Sequence, residues 1–431
     1  MTVLRYGTDS SVNLEFAAGV PLEQCGTPQG VPLADPAVAV AAALAQPLEY
    51  PPLVQTTTPG DRVVVVLGSG LPQAAQVTAA VVQVLMASGI APDGITILRS
   101  EADGTACSVG FQPAEGGVGF QPANLDADAA IENPLRLVPV PAADRIRILT
   151  HDPAKRRDLA YLAASEGGEP ILLNRLLTDA DVVLPVGCMQ REHAAGYYGI
   201  HTTIYPEYSD KNTQARFRKH DRYTGNGHHR ELQHEVNHVA WLLGVNFSLQ
   251  VVPAAGNGIL HVLAGQSDVV RRQCRELYRA AWNRSVAHRA NLVVTAIEGG
   301  PRQQTWENLG RVLESAAGLV EEDGAIAVCC DLAVAPGPAL QRLIGAPSRE
   351  EAVRQIRRDS PRDALPALQL ARTLQTNRIY LLSRLDPGLV EELKMVPIDG
   401  PEELVRLTRR NNSCLVLANA VHAMVHVEND A

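Results

Sequence analysis

The sequence predicts an α/β protein of two domains, each a mostly parallel sheet flanked by helices, with a cleft between them. Three observations carry this. At 431 residues the chain exceeds one typical core and suits two. Apolar runs of strand length, RVVVVL at 62–67 and DVVLPV at 181–186, each opened by one charged residue, are strands buried on both faces, as in a parallel sheet covered by helices. Strand-like and helix-like stretches also alternate on both sides of a charged segment near 268–289. The expected division is therefore 1–267, a linking helix at 268–289, and 290–431, with room for the last residues to pack back on the first domain.

In chain order, DPAVAVAAALAQ at 35–46 is an Ala-rich helix capped by Asp35, with Pro36 at its first position. PPLVQTTTPG follows as an extended linker. The strand at 62–67, the loop Gly68-Ser69-Gly70-Leu71-Pro72, a helix at 73–88 and a strand at 94–98 form a βαβ unit with a right-handed crossover. Its Gly-x-Gly lacks the fuller GxGxxG pattern and reads as a tight turn. Residues 101–145 are rich in Gly, Pro and Ala, and VGFQPA at 109–114 recurs at 118–123, a local duplication in a surface loop or short hairpin. Strands are expected at 146–149, 171–173 and 181–186, with a one- to two-turn helix before the last. A helix at 231–243 ends at Gly244, and 247–252 pairs with 259–262 around Gly256-Asn257-Gly258. Beyond the linker, strands at 290–297, 325–330, 378–382 and 414–418 alternate with helices at 304–317 and 402–409.

A net charge of -9 and a pI near 5.8 give no electrostatic reason to bind nucleic acid or an anionic membrane. A small-molecule substrate, anionic in character, is the natural expectation. The start MTVLRYGTDS has no signal-peptide core, no apolar run reaches the ~20 residues of a spanning helix, and a cytoplasmic protein is expected. Seven cysteines without CxxC spacing point to reduced, mostly buried thiols.

The densest functional signal follows the strand at 181–186, because an open α/β sheet binds ligands beyond the carboxyl ends of its strands. His193, Gly196, Tyr197, Tyr198, Gly199, His201 and Thr202 lie in that loop. His193 is the candidate base, since imidazole exchanges protons near neutrality; the plainer role is to orient the loop. Tyr197 and Tyr198 suit either a pocket wall or the core. Arg218 and Lys219 beside His220 suit either an anionic ligand or solvent. Arg302, after Gly299-Gly300-Pro301, could clamp a carboxylate. Seven of the twelve histidines fall between His193 and His238, and residues 234–238 spell HExxH on the expected helix, a zinc-hydrolase pattern without a third ligand.

Several stretches resemble the lactate racemase family, two-domain enzymes that use a nickel-pincer nucleotide. They are Tyr6-Gly7, ALAQPLEYPPL with PGDRVVVVL, His151-Asp152, the LAYLA to LLTDADVVLPVG run, His193 with Ala195-Gly196, FSLQVVPAAGNGILHVLAGQ and Gly299-Gly300-Pro301. The resemblance implies racemisation or epimerisation of a 2-hydroxy acid by hydride transfer to the cofactor. It places His193 near a base, His220 near the nickel-binding histidine, and Gly196, Tyr198, His201, Asn308 and Arg311 near the cofactor, with Tyr197 and Arg302 toward substrate. The family's first-loop Asp and Arg fall on Gly68 and Leu71, its first histidine falls near Ala102 and Asp103, and its tethering lysine falls on Thr202. A hydroxyl cannot form the tether's amide, so the alternative expectation is a catalytically silent relative that binds an anionic metabolite or nucleotide in the cleft.

Overall fold

A computed structural model describes residues 2–17, 19–100, 133–191, 194, 196–219 and 226–428. The duplicated VGFQPA segments and Cys107 lie outside these residues. Two six-stranded sheets organise the chain.

The first sheet runs Ile259–Gln266, Phe247–Pro253, Val182–Cys188, Val63–Leu67, Ile95–Ser100, Arg147–His151. All neighbours are parallel except the Phe247–Pro253 and Ile259–Gln266 pair, the expected antiparallel hairpin. Every residue of Val63–Leu67 and of Phe247–Pro253 is buried, which is why these segments carry no polar alternation. Helix Ala74–Ala87 crosses between the first two strands of the βαβ unit, and helix Pro36–Ala45 packs beside it. Asp35 caps the latter by accepting from Ala37 N at 2.9 Å.

The second sheet is entirely parallel, in the order Val396–Pro397, Arg378–Leu382, Val320–Cys329, Ala290–Ala296, Cys414–Leu417, Leu22–Cys25. Its last member comes from the start of the chain. Residues 2–25 stand before position 267 in sequence yet build onto this sheet: Leu22–Cys25 pairs with Cys414–Leu417, and the hairpin Thr2–Tyr6 with Ser10–Leu14 buries Leu4, Val12 and Leu14 against Leu292, Val294 and Val416. Gly26 ends that strand at φ +84, and a Cβ there would lie 1.7 Å from the Ala418 carbonyl oxygen, so the chain can pass this close to its neighbour only as glycine.

Helix Ser267–Trp282 links the two sheets. Its Val270, Cys274, Tyr278 and Trp282 are buried in one apolar cluster with Val252 and Leu260 of the first domain and Val293, Ile297 and Leu309 of the second. Each side chain buried in that seam contributes roughly 1.5–3 kcal/mol, so the domains are joined by core rather than by a loose linker. Strand Met424–Val427 closes beside the helix by pairing with Asn283–Val286. Among the described residues the six cysteines are free, and no helix is long and apolar enough to cross a membrane.

Because Leu14 is fully buried against the second sheet, Leu14→Ala is expected to cost about 2–5 kcal/mol. Urea unfolding followed by a probe in the second domain measures it; a change confined to the first domain would contradict the packing described.

Candidate functional site

The carboxyl edges of the two sheets face a common cleft. From the first domain it is lined by Gly70 and Pro72 after Val63–Leu67, by Cys188 and Gln190 at the end of Val182–Cys188, and by Pro253 and Gly256 after Phe247–Pro253. From the second come Glu298, Arg302 and Gln303 after Ala290–Ala296, Asn308 and Arg311 on helix Trp306–Ala317, and Asn419, Val421 and His422 after Cys414–Leu417. A polar ladder crosses the junction. Asn257 Oδ1 accepts from Gln73 N at 3.1 Å and from Gln303 Nε2 at 3.2 Å, and Asn419 Oδ1 accepts from Gly256 N at 3.4 Å. On the second domain Asn308 Nδ2 donates to Gln303 O at 2.8 Å, and Arg311 Nη1 donates to Asn308 Oδ1 at 3.1 Å.

The cleft's charges are set by burial. Arg311 is desolvated enough that its proton affinity is lowered despite the nearby carboxylates Glu307 and Glu314. Glu314 is engaged elsewhere: its Oε2 accepts from Arg191 Nη2 at 2.7 Å, and the two side chains are 1 % and 11 % exposed. This ion pair joins the loop after Val182–Cys188 to helix Trp306–Ala317 across the domain boundary. Burial pushes the Cys188 thiol up to about 12, so it is a protonated, poor nucleophile. Burial first, and Arg311 second, press the His422 imidazole down to about 4.

Of the residues singled out in the sequence, Asn308, Arg311 and Arg302 converge on this cleft. His193 and His220 lie outside the described residues. The rest of the first-domain loop turns inward. Tyr197 is buried in the interdomain seam with its hydroxyl on Met189 Sδ at 3.2 Å. Tyr198 is buried on the other face of the sheet, donates to Phe217 O at 3.0 Å and stacks on His229. Thr202 Oγ1 accepts from Tyr198 N at 2.9 Å and so holds the loop's own turn. His201 pairs through Nδ1 with Asn237 Oδ1 at 3.0 Å, and burial lowers its proton affinity. Gly196, at φ +79, sits beside Leu365 of the second domain. Arg218 also reaches across, donating to Ser360 O at 3.4 Å.

The HExxH pattern is not a metal centre. Glu235, which would be the general base, is bound by Arg216 Nη1 at 2.8 Å and by the Tyr205 hydroxyl. His234 is exposed, and His238 stacks on Trp241 at 5.8 Å between ring centres. Among the described residues no group of three or more His, Cys, Asp or Glu could hold a metal ion. His422 escaped the sequence reading because a single histidine in a short loop has no spacing partner; only its place after the last strand hinted at the site.

The family model described as the lactate racemase N-terminal domain matches residues 132–231. The fold is similar to that of the lactate racemase apoprotein from Thermoanaerobacterium thermosaccharolyticum, with a TM-score of 0.70 at 16% identity over 98% of this chain and 100% of that one. It is also similar to a protein from Thermotoga maritima, with a TM-score of 0.62 at 13% identity over 91% and 99% of the two chains. No curated protein matches the chain in sequence.

Removing one partner of a buried ion pair strands the other charge, so Arg191→Ala should destabilise the protein by about 3–5 kcal/mol. The double variant Arg191→Met with Glu314→Leu should recover most of that loss. Equal unfolding midpoints for wild type and Arg191→Ala would show that the bridge contributes nothing.

Proposed function

We propose that the chain, whose residues 132–231 match the lactate racemase N-terminal domain, binds a small anionic metabolite in its interdomain cleft, anchored by Arg311. One observation carries the reading. Among the described residues the Arg311 guanidinium hydrogen-bonds a neutral amide, that of Asn308, and forms no ion pair with a carboxylate. A partly buried guanidinium that lines the cleft offers its remaining N–H groups to a ligand, and a bound carboxylate or phosphate accepts charge-assisted, bidentate hydrogen bonds from it. Asn308, held by the Gln303 carbonyl, presets the guanidinium's direction. Arg302 and Glu298 stand on the same wall.

The family uses a nickel-pincer nucleotide, and the described residues do not fit its covalently tethered form. Thr202 supplies a hydroxyl where an amine is required, and that hydroxyl is already the acceptor for Tyr198 N. No described cluster offers a metal's donor set. A second reading, racemisation or epimerisation of a 2-hydroxy acid with His193 as base and His220 as metal ligand, is favoured by the family match, which spans both histidines.

Arg311→Gln should weaken binding of lactate or inorganic phosphate about 10- to 100-fold, the worth of hydrogen bonds to a charged group, as read by calorimetry; unchanged affinity would remove Arg311 from the site. Protein produced together with enzymes that build the pincer cofactor should carry no stoichiometric nickel by metal analysis. One nickel per chain with a pincer chromophore would favour the second reading instead.

A further inference from the structure

We propose that His422 is the specificity-determining residue of the cleft, accepting a hydrogen bond from a donor group, such as a hydroxyl, beside the anionic end of the ligand that Arg311 holds. The inference rests on the anion-binding reading of the cleft and adds to it a second contact, from a loop that neither the family match at 132–231 nor the sequence motifs reach.

Position comes first. His422 and Arg311 line the same cleft from two elements of the second domain, the loop after Cys414–Leu417 and the helix Trp306–Ala317. The loop is fastened on every side. His422 N donates to Asn419 O at 2.9 Å, and Asn419 adopts φ +49. Asn419 Nδ2 donates to Gly26 O at 3.2 Å while its Oδ1 accepts from Gly256 N at 3.4 Å. The Tyr278 hydroxyl donates to His422 O at 2.7 Å, and the Trp282 ring lies 5.4 Å from the imidazole at 44°. The backbone is thus fixed by three other segments of chain, and an indole wall limits where the imidazole can go.

Chemistry follows from what surrounds the ring. Among the described residues its nitrogens have no hydrogen-bond partner. The titratable groups that share the cleft wall are Arg311, Arg302, Glu298 and Cys188, and Tyr278 packs beneath. Burial and the Arg311 charge keep the imidazole neutral at ordinary pH, so one ring nitrogen presents a lone pair. A cation beside a neutral acceptor matches a ligand that is anionic at one atom and a hydrogen-bond donor at the next. A bound ligand that lacks the donor would cover the ring nitrogen without satisfying it, and such mismatches are where polar sites discriminate most strongly.

Calorimetric titration of the full-length protein with lactate and with propionate, which lacks the hydroxyl, tests this. Wild-type protein should bind lactate about three- to tenfold more tightly than propionate, the worth of a neutral hydrogen bond. His422→Leu should erase that ratio while leaving propionate affinity in place, and His422→Gln, which keeps a polar atom, should restore part of it. Matching thermal midpoints and circular dichroism establish that the variants are folded. A wild-type protein without preference for lactate, or a His422→Leu variant that keeps the preference, would overturn the role of His422. Arg311→Gln separates the two ideas: it should weaken both acids equally, and unchanged affinity for both would overturn the anion-binding reading itself.

Discussion

The site depends on how helix Ser267–Trp282 is fastened at both sides. Trp282 Nε1 donates to Pro253 O at 3.0 Å, at the end of a first-sheet strand, and the Tyr278 hydroxyl donates to His422 O, in the last loop of the second domain. Both acceptors belong to cleft-lining residues. One turn of helix therefore sets the spacing of two carboxyl edges, with the apolar seam packed around it. In a buried seam a charge acts more strongly than at the surface.

Burial at the junction shapes the electrostatic pattern. Arg191 and Glu314 settle it by pairing with each other, while Arg311, three residues earlier on the same helix face, is left with an amide. The arrangement separates a structural cation from one directed into the cleft, although both stand on the same domain junction. His422 and Cys188 are held in their neutral forms by the same burial. The cleft accordingly combines the partly buried Arg311 with Arg302, Glu298 and neutral polar groups, suited to recognition by a few well-placed bonds.

Much of the fold was legible because its central strands are apolar on both faces. Val63–Leu67 and Val182–Cys188 could be read directly, and the turn at Gly256-Asn257-Gly258 marked the hairpin beside them. Leu22–Cys25 could not, since LEQC is a short edge strand with polar residues and gains its identity only from Cys414–Leu417. Helices Pro338–Gly345, Arg349–Asp359 and Ala364–Thr376 stood in a stretch with no strand to frame them. At the site, the polar density around Tyr198, His201 and Thr202 looked like ligand chemistry, but those groups answer to Phe217, Asn237 and the loop's own backbone. Asn308, Arg311 and Arg302 stood out through family resemblance and strand-end position, signals that carry spatial information; a lone imidazole such as His422 has none.

The edge position of Leu22–Cys25 has a consequence for how the molecule is made. The strand is synthesised long before its partner Cys414–Leu417. The first sheet, drawn wholly from residues 63–266, can assemble in the meantime, since domains generally fold as units in order of synthesis. In the second sheet, Leu22–Cys25 has no strand to pair with until Cys414–Leu417 is made. Asn419 and His422 come directly after that strand, so the cleft is completed by the same event that brings Leu22–Cys25 into the sheet.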